Sequence, residues 1–195
     1  MNSLSQTTLS FTGQAAVLIL LHQDEAGEDC VLLTRRASEL RMHAGEVAFP
    51  GGMWEPSDAS LHATACRECS EEIGFDPLLL PVLAELPPHL TRRGITVSPY
   101  LVRTPVRPPL SLCRDEIESV RWVPMRLFKE DRRSKTHIFG SPAELWAPVY
   151  CFEDYEVWGF TARVLVTLVN THYGANVTRA HEEAPEERFG SERVR

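Results

Sequence analysis

The chain has 195 residues, of which 43% are hydrophobic and 24% are charged, and its formal net charge is −7 at pH 7. This composition is ordinary for a globular protein with a real core, and the negative charge argues against general affinity for nucleic acid or anionic membranes. No apolar run is long enough to span a membrane, and no basic segment precedes a signal-type core. We therefore expect a cytoplasmic protein. Any polyanionic ligand would be bound by local Lys or Arg side chains and a metal ion.

A chain of this length predicts one domain with loose ends. Residues 1–13 are rich in Ser, Thr, Gln and Gly and predict a loose N-terminal arm. Residues 173–195 are charged and poor in apolar side chains, so they predict a flexible tail. The single domain is therefore expected to span residues 14–172.

Hydrophobic patterning predicts both strands and helices along this domain. The first strand is a continuous apolar run at 15–21, and a charged turn leads to a returning strand at 30–34. Further strands are predicted at 46–49, 80–86, 95–103, 117–123, 149–152 and 155–158, and helices at 59–74, 124–128 and 160–169. Pro124 is expected to open the short second helix. This order predicts an α/β fold with a mixed sheet and helices on both faces.

The helix predicted at 59–74 combines an apolar stripe with an acidic face. The stripe consists of residues four apart, namely Leu61, Ala65, Cys69 and Ile73. At 100° per residue, one sector about 100° wide holds three carboxylates, those of Glu68, Glu71 and Glu72. Ser57 or Asp58 is predicted as the N-cap, and Gly74 is predicted as a left-handed C-cap.

This acidic face predicts a site for a hard divalent cation. Glu68 and Glu72 are like charges at i,i+4, which destabilise a helix by roughly a few tenths of a kcal/mol unless something compensates. Mg²⁺ and Mn²⁺ take oxygen ligands and keep waters and substrate phosphates in their shell. A solvated acidic face is the alternative explanation. Upstream, Gly51 and Gly52 follow an apolar strand end and predict a turn where backbone can approach a metal or a phosphate.

The stretch from residue 32 to residue 75 resembles a known signature. Residues 67–75, Arg-Glu-Cys-Ser-Glu-Glu-Ile-Gly-Phe, match the second half of the Nudix box completely, with Cys69 and Phe75 at apolar positions. The first half departs from the box, because the spacing from Gly52 to Arg67 is one residue longer and the first acid appears as Asp58. The upstream positions resemble the signature of the coenzyme A pyrophosphatase branch of the Nudix hydrolases: Leu32, Leu33, Thr34, Arg36, Ala37, Arg41, Gly45, Phe49, Pro50, Gly51 and Gly52.

The resemblance implies a fold, an activity and a cofactor. The fold is the Nudix α/β/α sandwich with a mixed sheet. The activity is hydrolysis of the pyrophosphate bond of coenzyme A or an acyl-coenzyme A, which yields 4′-phosphopantetheine, or its acyl form, and adenosine 3′,5′-bisphosphate. The cofactor is Mg²⁺ or Mn²⁺, which neutralises charge on the pyrophosphate and lowers the pKa of bound water.

Residues of the box are assigned expected roles. Glu68 and Glu72 are the leading metal ligands, with Glu71 as a third and a carbonyl of Gly51 or Gly52 as a further donor. Arg67 is expected to orient carboxylates, because it stands at i,i+4 to Glu71 and its guanidinium can bind bidentately.

Two further assignments concern residues outside the box. The general base is Glu71 or Glu72 within the box, or Glu116, which stands at the mouth of a predicted strand; otherwise Glu116 is a plain loop acid. Arg36 and Arg41 belong to the upstream signature, and a guanidinium fork suits phosphate. The alternative is that they brace loops by pairing with Glu39 or Glu46.

The sequence leaves other functions open. One is a Nudix hydrolase for another nucleoside diphosphate derivative, such as ADP-ribose or a dinucleotide. Another is a catalytically silent binding module, although Arg67, Glu68, Glu71 and Glu72 are all present. The expected partner is a small-molecule substrate, with no nucleic acid and no membrane. A homodimer is an assembly that the sequence leaves open.

Overall fold

The computed structural model describes residues 11–91, 93–139 and 145–179. Within them the strands are β1 (Gln14–Gln23), β2 (Asp29–Arg36), β3 (Val47–Ala48), β4 (Gly51–Met53), β5 (Val82–Glu85), β6 (His89–Leu90), β7 (Thr96–Arg103), β8 (Ile117–Pro124), β9 (Lys135–Phe139), β10 (Leu145–Phe152) and β11 (Tyr155–Val157). The helices are α1 (Leu61–Ile73), α2 (Arg126–Lys129) and α3 (Gly159–His172). None of these helices is long and apolar enough to cross a membrane.

Strand β1 is the centre of the main sheet. It pairs antiparallel with β2 and β4 and parallel with β7, so the sheet is mixed. Side chains alternate between the two faces of a strand. Ala16, Leu18 and Leu20 pack with α1 on one face. Val17, Ile19 and Leu21 pack with α3 on the other, which explains why the run at 15–21 is apolar throughout.

The other strands complete two sheets. β3 and β8 extend the main sheet from β2, whereas β5 and β6 pair with β7. β9, β10 and β11 form a separate three-stranded antiparallel sheet. The predicted mixed sheet with a helix on each face is confirmed. β6 and β9 were not predicted, because β6 has only two residues and β9 carries little apolar alternation.

The Gly-Gly segment differs from its prediction. Gly51 and Gly52 were expected in a turn, but they lie in β4, where they pair with Val17 and Ala16 of β1. Gly51 has φ +152°, and a Cβ built there would lie 2.3 Å from the carbonyl oxygen of Ala16. Only glycine fits such an approach between two backbones.

The ends of the helices correct two further predictions. The N-cap of α1 is Ser60, whose hydroxyl accepts from the N–H of Ala63 at 3.1 Å, and not Ser57 or Asp58. Gly74 is confirmed as the left-handed C-cap, with φ +69°. Pro124 does not open α2, because it is the last residue of β8 and α2 begins at Arg126.

The chain remains packed beyond α3. Val177 is buried, and its N–H and carbonyl both bond the side chain of Asn170 at 2.9 Å. The folded part therefore extends past residue 173, where the tail was predicted to begin. Residues 180–195 of that tail and residues 1–10 of the predicted arm lie outside the described residues.

Candidate active site

The two glycines of β4 lie directly against two carboxylates of α1. A Cβ at Gly52 would lie 2.4 Å from Oε1 of Glu68. The N–H of Gly51 donates to Oε2 of Glu72 at 3.2 Å. Because neither position carries a side chain, the carboxylates of Glu68 and Glu72 reach the backbone of the neighbouring strand.

The carboxylate of Glu72 is buried, with 3% of its side chain exposed. Burial raises the pKa of Glu72 to about 8, and the nearby carboxylates of Glu68 and Glu116 act in the same direction. The Gly51 N–H and the guanidinium of Arg36, whose Nη1 lies 3.4 Å from Oε1, offset part of this effect. A buried carboxyl group with so little compensation is stabilised as an anion when a cation binds beside it.

Glu68 and Glu116 extend the acidic site. Burial raises the pKa of Glu68, and Arg67 opposes this shift while Glu71 and Glu116 add to it. Glu116 is exposed, and its carbonyl accepts from the N–H of Ala37 at 2.8 Å, which ties it to the end of β2. Glu116 therefore lies close enough to influence the pKa of both Glu68 and Glu72.

Arg67 joins three parts of the site. Its Nε and Nη2 donate to the two oxygens of Asp58 at 2.9 and 3.1 Å. Its Nη1 donates to Glu68 and Glu71 at 3.0 Å each, and its Nη2 also donates to the carbonyl of Met53 at 3.0 Å. The guanidinium lowers the pKa of Asp58. Asp58, which stands where the box has its first acid, thus anchors the arginine that orients the helix carboxylates.

The three box acids do not share one environment. The side chain of Glu71 is 59% exposed and bonds Arg67, whereas Glu68 and Glu72 lie against β4. Among residues 11–91, 93–139 and 145–179, no group of three His, Cys, Asp or Glu side chains is arranged to hold a metal ion by itself. The residues present nevertheless fit a hard cation, because Mg²⁺ is usually bound by one or two carboxylates with waters and substrate phosphates. Glu68 and Glu72 supply such a pair.

The arginines of the upstream signature occupy different environments. Arg36 contacts Glu72 and pairs with neither Glu39 nor Glu46; Glu46 instead pairs with His43, at 2.8 Å from Nδ1. Arg41 is exposed and has no side-chain partner in the described part of the chain.

One residue near this loop was missed by the sequence analysis. Arg93 lies in the turn before β7, and its Nη1 is 2.9 Å from Sδ of Met42. The contact places a second exposed guanidinium beside the loop that carries Arg41. Nothing in the polar turn around Arg93 signals this proximity, which depends on the packing of two loops that are distant in sequence.

The structure is thus a mixed α/β domain in which an acid-faced helix lies beside a strand that begins with two glycines. The NUDIX domain family model matches residues 12–139. "Nudix hydrolase 22, chloroplastic" of Arabidopsis thaliana is 36% identical over 170 residues, which cover 82% of this chain and 55% of that protein. "Uncharacterized Nudix hydrolase NudL" of Salmonella paratyphi B is 38% identical over 156 residues, which cover 78% of this chain and 79% of the relative. The chain therefore belongs to the Nudix family.

Solved structures share the fold at lower identity. A MutT/nudix family protein from Enterococcus faecalis superimposes with a TM-score of 0.53 at 20% identity, over 80% of this chain and 60% of that chain. A NUDIX hydrolase from Alicyclobacillus acidocaldarius gives 0.50 at 21% identity, over 60% and 81%. These likenesses concern the architecture alone.

Proposed function

We propose that this protein hydrolyses the pyrophosphate bond of coenzyme A or of an acyl-coenzyme A, with Mg²⁺ or Mn²⁺ as cofactor. The products would be 4′-phosphopantetheine, or its acyl form, and adenosine 3′,5′-bisphosphate. The observation that carries the hydrolase proposal is the approach of Glu68 and Glu72 to the glycines of β4. The choice of coenzyme A rests on the signature that includes Arg36 and Arg41.

The side chains divide the work as follows. Glu68 and Glu72 hold the divalent ion, and Arg67 fixes the orientation of Glu68. When bound, the ion neutralises pyrophosphate charge and makes coordinated water more acidic. Arg36 stands beside Glu72 and can bind an equatorial phosphate oxygen.

Glu116 is our proposed general base, because it is an exposed carboxylate beside the buried pair. Glu116→Gln is expected to lower kcat by about 10²–10⁴-fold with the Mg²⁺ requirement unchanged. A wild-type kcat would return the role of base to Glu71 or Glu72.

A substrate panel tests the function. Coenzyme A, acetyl-coenzyme A, 3′-dephospho-coenzyme A, ADP-ribose and a dinucleotide are incubated with the protein and Mg²⁺ or Mn²⁺, and the products are separated by chromatography. The highest kcat/KM is expected for coenzyme A or its acyl form. A higher value for ADP-ribose or the dinucleotide would favour the other hydrolase hypothesis, and no turnover of any compound would favour the silent module.

Arg41 offers a sharper test of the coenzyme A assignment. Coenzyme A and its 3′-dephospho form differ by one phosphate, and Arg41 is the signature arginine with a free guanidinium in the described chain. Arg41→Ala is expected to lower kcat/KM for coenzyme A by about 10–100-fold and to leave the dephospho substrate near wild type. Arg36→Ala should lower both, because Arg36 also contacts Glu72. Equal losses for Arg41→Ala would reject 3′-phosphate recognition by this residue.

The remaining assignments stay predictions from the sequence. They are the cytoplasmic location and the homodimer, and light scattering of the purified protein would test the second of these.

A further inference from the structure

A small cavity lies on the α3 face of the sheet, away from the carboxylates of α1. Its volume is about 190 Å³. Three elements line it: β6 with His89, β10 with Trp146 and Pro148, and α3 with Arg163, Val166 and Thr167. Positions 163, 166 and 167 share one side of a helix, and alternate residues of β10 share one face of the strand.

Arg163 is a partly buried cation that lacks an acceptor. No carboxylate or carbonyl oxygen within residues 11–91, 93–139 and 145–179 accepts a hydrogen bond from its guanidinium. Burial lowers the pKa of Arg163, although an arginine remains charged at neutral pH. A guanidinium carries five donors, and those of Arg163 are not among the buried unpartnered atoms of the described chain, so a ligand in the cavity can reach them. Arg133, which is buried, pairs instead with Asp131.

His89 supplies a second unsatisfied group. Its Nε2 is buried and has no hydrogen-bond partner in the described part of the protein. Burial lowers the pKa of His89, and the charge of Arg163 lowers it further, which places the two side chains close together. The ring packs edge-on against Phe160 at 5.9 Å between centroids. With its proton on Nε2, a neutral His89 is a donor that awaits an acceptor.

The size and the donors define the ligand. Pockets for drug-sized molecules measure roughly 300–1,000 Å³, so about 190 Å³ suits a single small ion better than a whole nucleotide. The hydroxyl of Thr167 already donates to the carbonyl of Arg163 at 3.1 Å within the helix. The free donors are therefore cationic or neutral N–H groups, which bind oxyanions in charge-assisted hydrogen bonds.

We propose that this cavity binds one small tetrahedral oxyanion, inorganic phosphate, on the guanidinium of Arg163 beside the ring of His89. The site is separate from the acidic site on α1 and does not depend on the function proposed above. It lies at the same end of the sheet but on the other face, since His89 pairs with Val97, and Val97 belongs to the core that packs against α3.

Calorimetric titration tests the proposal. Inorganic phosphate is added to the full chain in the presence of a chelator, so that no divalent ion draws phosphate to α1. The wild type is expected to bind one phosphate. Arg163→Gln should weaken this binding by about 10–100-fold, and Arg163→Lys, which retains the charge but loses the fork, should lie between the two.

Two matched variants separate this site from other sources of affinity. Arg126→Gln removes the same charge from an exposed position on α2 and should bind phosphate like the wild type. Arg36→Gln removes the arginine beside Glu72 and should also leave binding unchanged. No saturable binding to the wild type, or loss of binding in Arg36→Gln but not in Arg163→Gln, would overturn the proposal. Circular dichroism melts check that each variant is folded.

A second measurement does not depend on the stability of a variant. The imidazole resonances of His89 in the wild type should shift as phosphate saturates the protein. His62 lies on α1, where it packs against Tyr100, and it serves as the internal control because it does not line the cavity. Unchanged His89 resonances at a phosphate concentration that saturates the calorimetric signal would also overturn the assignment.

Discussion

The two faces of the main sheet treat charge in opposite ways at the same end of the molecule. On the α1 face, carboxylates are concentrated and buried, and the nearby arginines are paired: Arg36 with Glu72, and Arg67 with Asp58, Glu68 and Glu71. On the α3 face, Arg163 and His89 line a cavity and lack acceptors in the described chain. The carboxylates of the first face are therefore expected to bind a cation. The unpaired donors of the second face are expected to bind an anion.

The difference arises from how each face is built. Next to α1, strand β4 begins with two glycines, so carboxylates of the helix approach its backbone and are desolvated there. Next to α3 the walls are side chains from three separate elements, which leave a gap between them. The acidic site thus arises where carboxylates of α1 lie close to the backbone of β4. The cationic site arises where β6, β10 and α3 leave a gap between their side chains.

A substitution on the acidic face should reduce activity the most. Glu72→Gln removes the charge of a buried ligand while keeping its shape, and we expect kcat/KM at saturating Mg²⁺ to fall on the order of 10³-fold, or about 4 kcal/mol. Glu71→Gln is the matched control, because Glu71 is exposed and contacts only Arg67 among the described side chains. It should lose roughly tenfold or less. Comparable losses in both variants would show that the two carboxylates are not distinguished by burial.

The two glycines of β4 should respond differently to substitution by alanine. Gly52→Ala places a methyl against the end of the flexible Glu68 side chain, so the carboxylate is expected to shift and activity to fall about 10²-fold with little change in Tm. Gly51→Ala instead meets the backbone of Ala16 and Val17, and its φ is unfavourable for alanine, so Tm should fall first. Thermal melts and steady-state rates on both variants check this. A large loss of Tm in Gly52→Ala would contradict it.

Asp29, which lies outside both sites, shows how a paired charge contributes to stability. Asp29 bonds Arg103, and its Oδ2 accepts from Tyr173 at 2.6 Å; these contacts, Arg103 foremost, lower the pKa of Asp29. A lowered folded-state pKa stabilises the protein above the unfolded value of about 3.9, and this contribution is lost as pH falls through the folded pKa.

The corresponding variant is Asp29→Asn. Its free energy of unfolding at pH 7 should be lower by about 1.5–3 kcal/mol, and the gap to the wild type should shrink below about pH 4. Urea titrations at several pH values measure this gap. A gap that is independent of pH down to pH 3 would show that the charge of Asp29 is not responsible.

The smallest effect is expected for the unpaired arginine. In phosphate-free buffer, Arg163→Gln should change the free energy of unfolding by no more than about 0.5 kcal/mol, since no described ion pair is lost. Arg103→Gln, which breaks a pair with Asp29, should cost more. Adding phosphate should raise Tm of the wild type and not of Arg163→Gln. A clear destabilisation of Arg163→Gln without phosphate would indicate that the residue already has a partner.

Local periodicity predicted much of the architecture. The apolar run at 15–21 became the central strand, and the helix that carries Glu68 and Glu72 was found together with its Gly74 cap. The strands predicted at 149–152 and 155–158 were found as the end of β10 and as β11. These features depend on residues within a few positions of one another. The cap at Ser60 and the true start of α2 were misplaced, since neighbouring residues compete for such boundaries and tertiary contacts choose among them.

The acid-faced helix and the family resemblance could be predicted from the sequence, because they lie within one continuous stretch of chain. The contact of β4 with Glu68 and Glu72 but not Glu71, and the anchoring of Arg67 by Asp58, depend on the tertiary structure. The contact between Arg93 and Met42, and the position of His89 in the cavity that Arg163 also lines, likewise depend on the tertiary structure. The reason is that helical periodicity specifies which side chains share a face, whereas the strand or loop that meets that face is set by long-range packing.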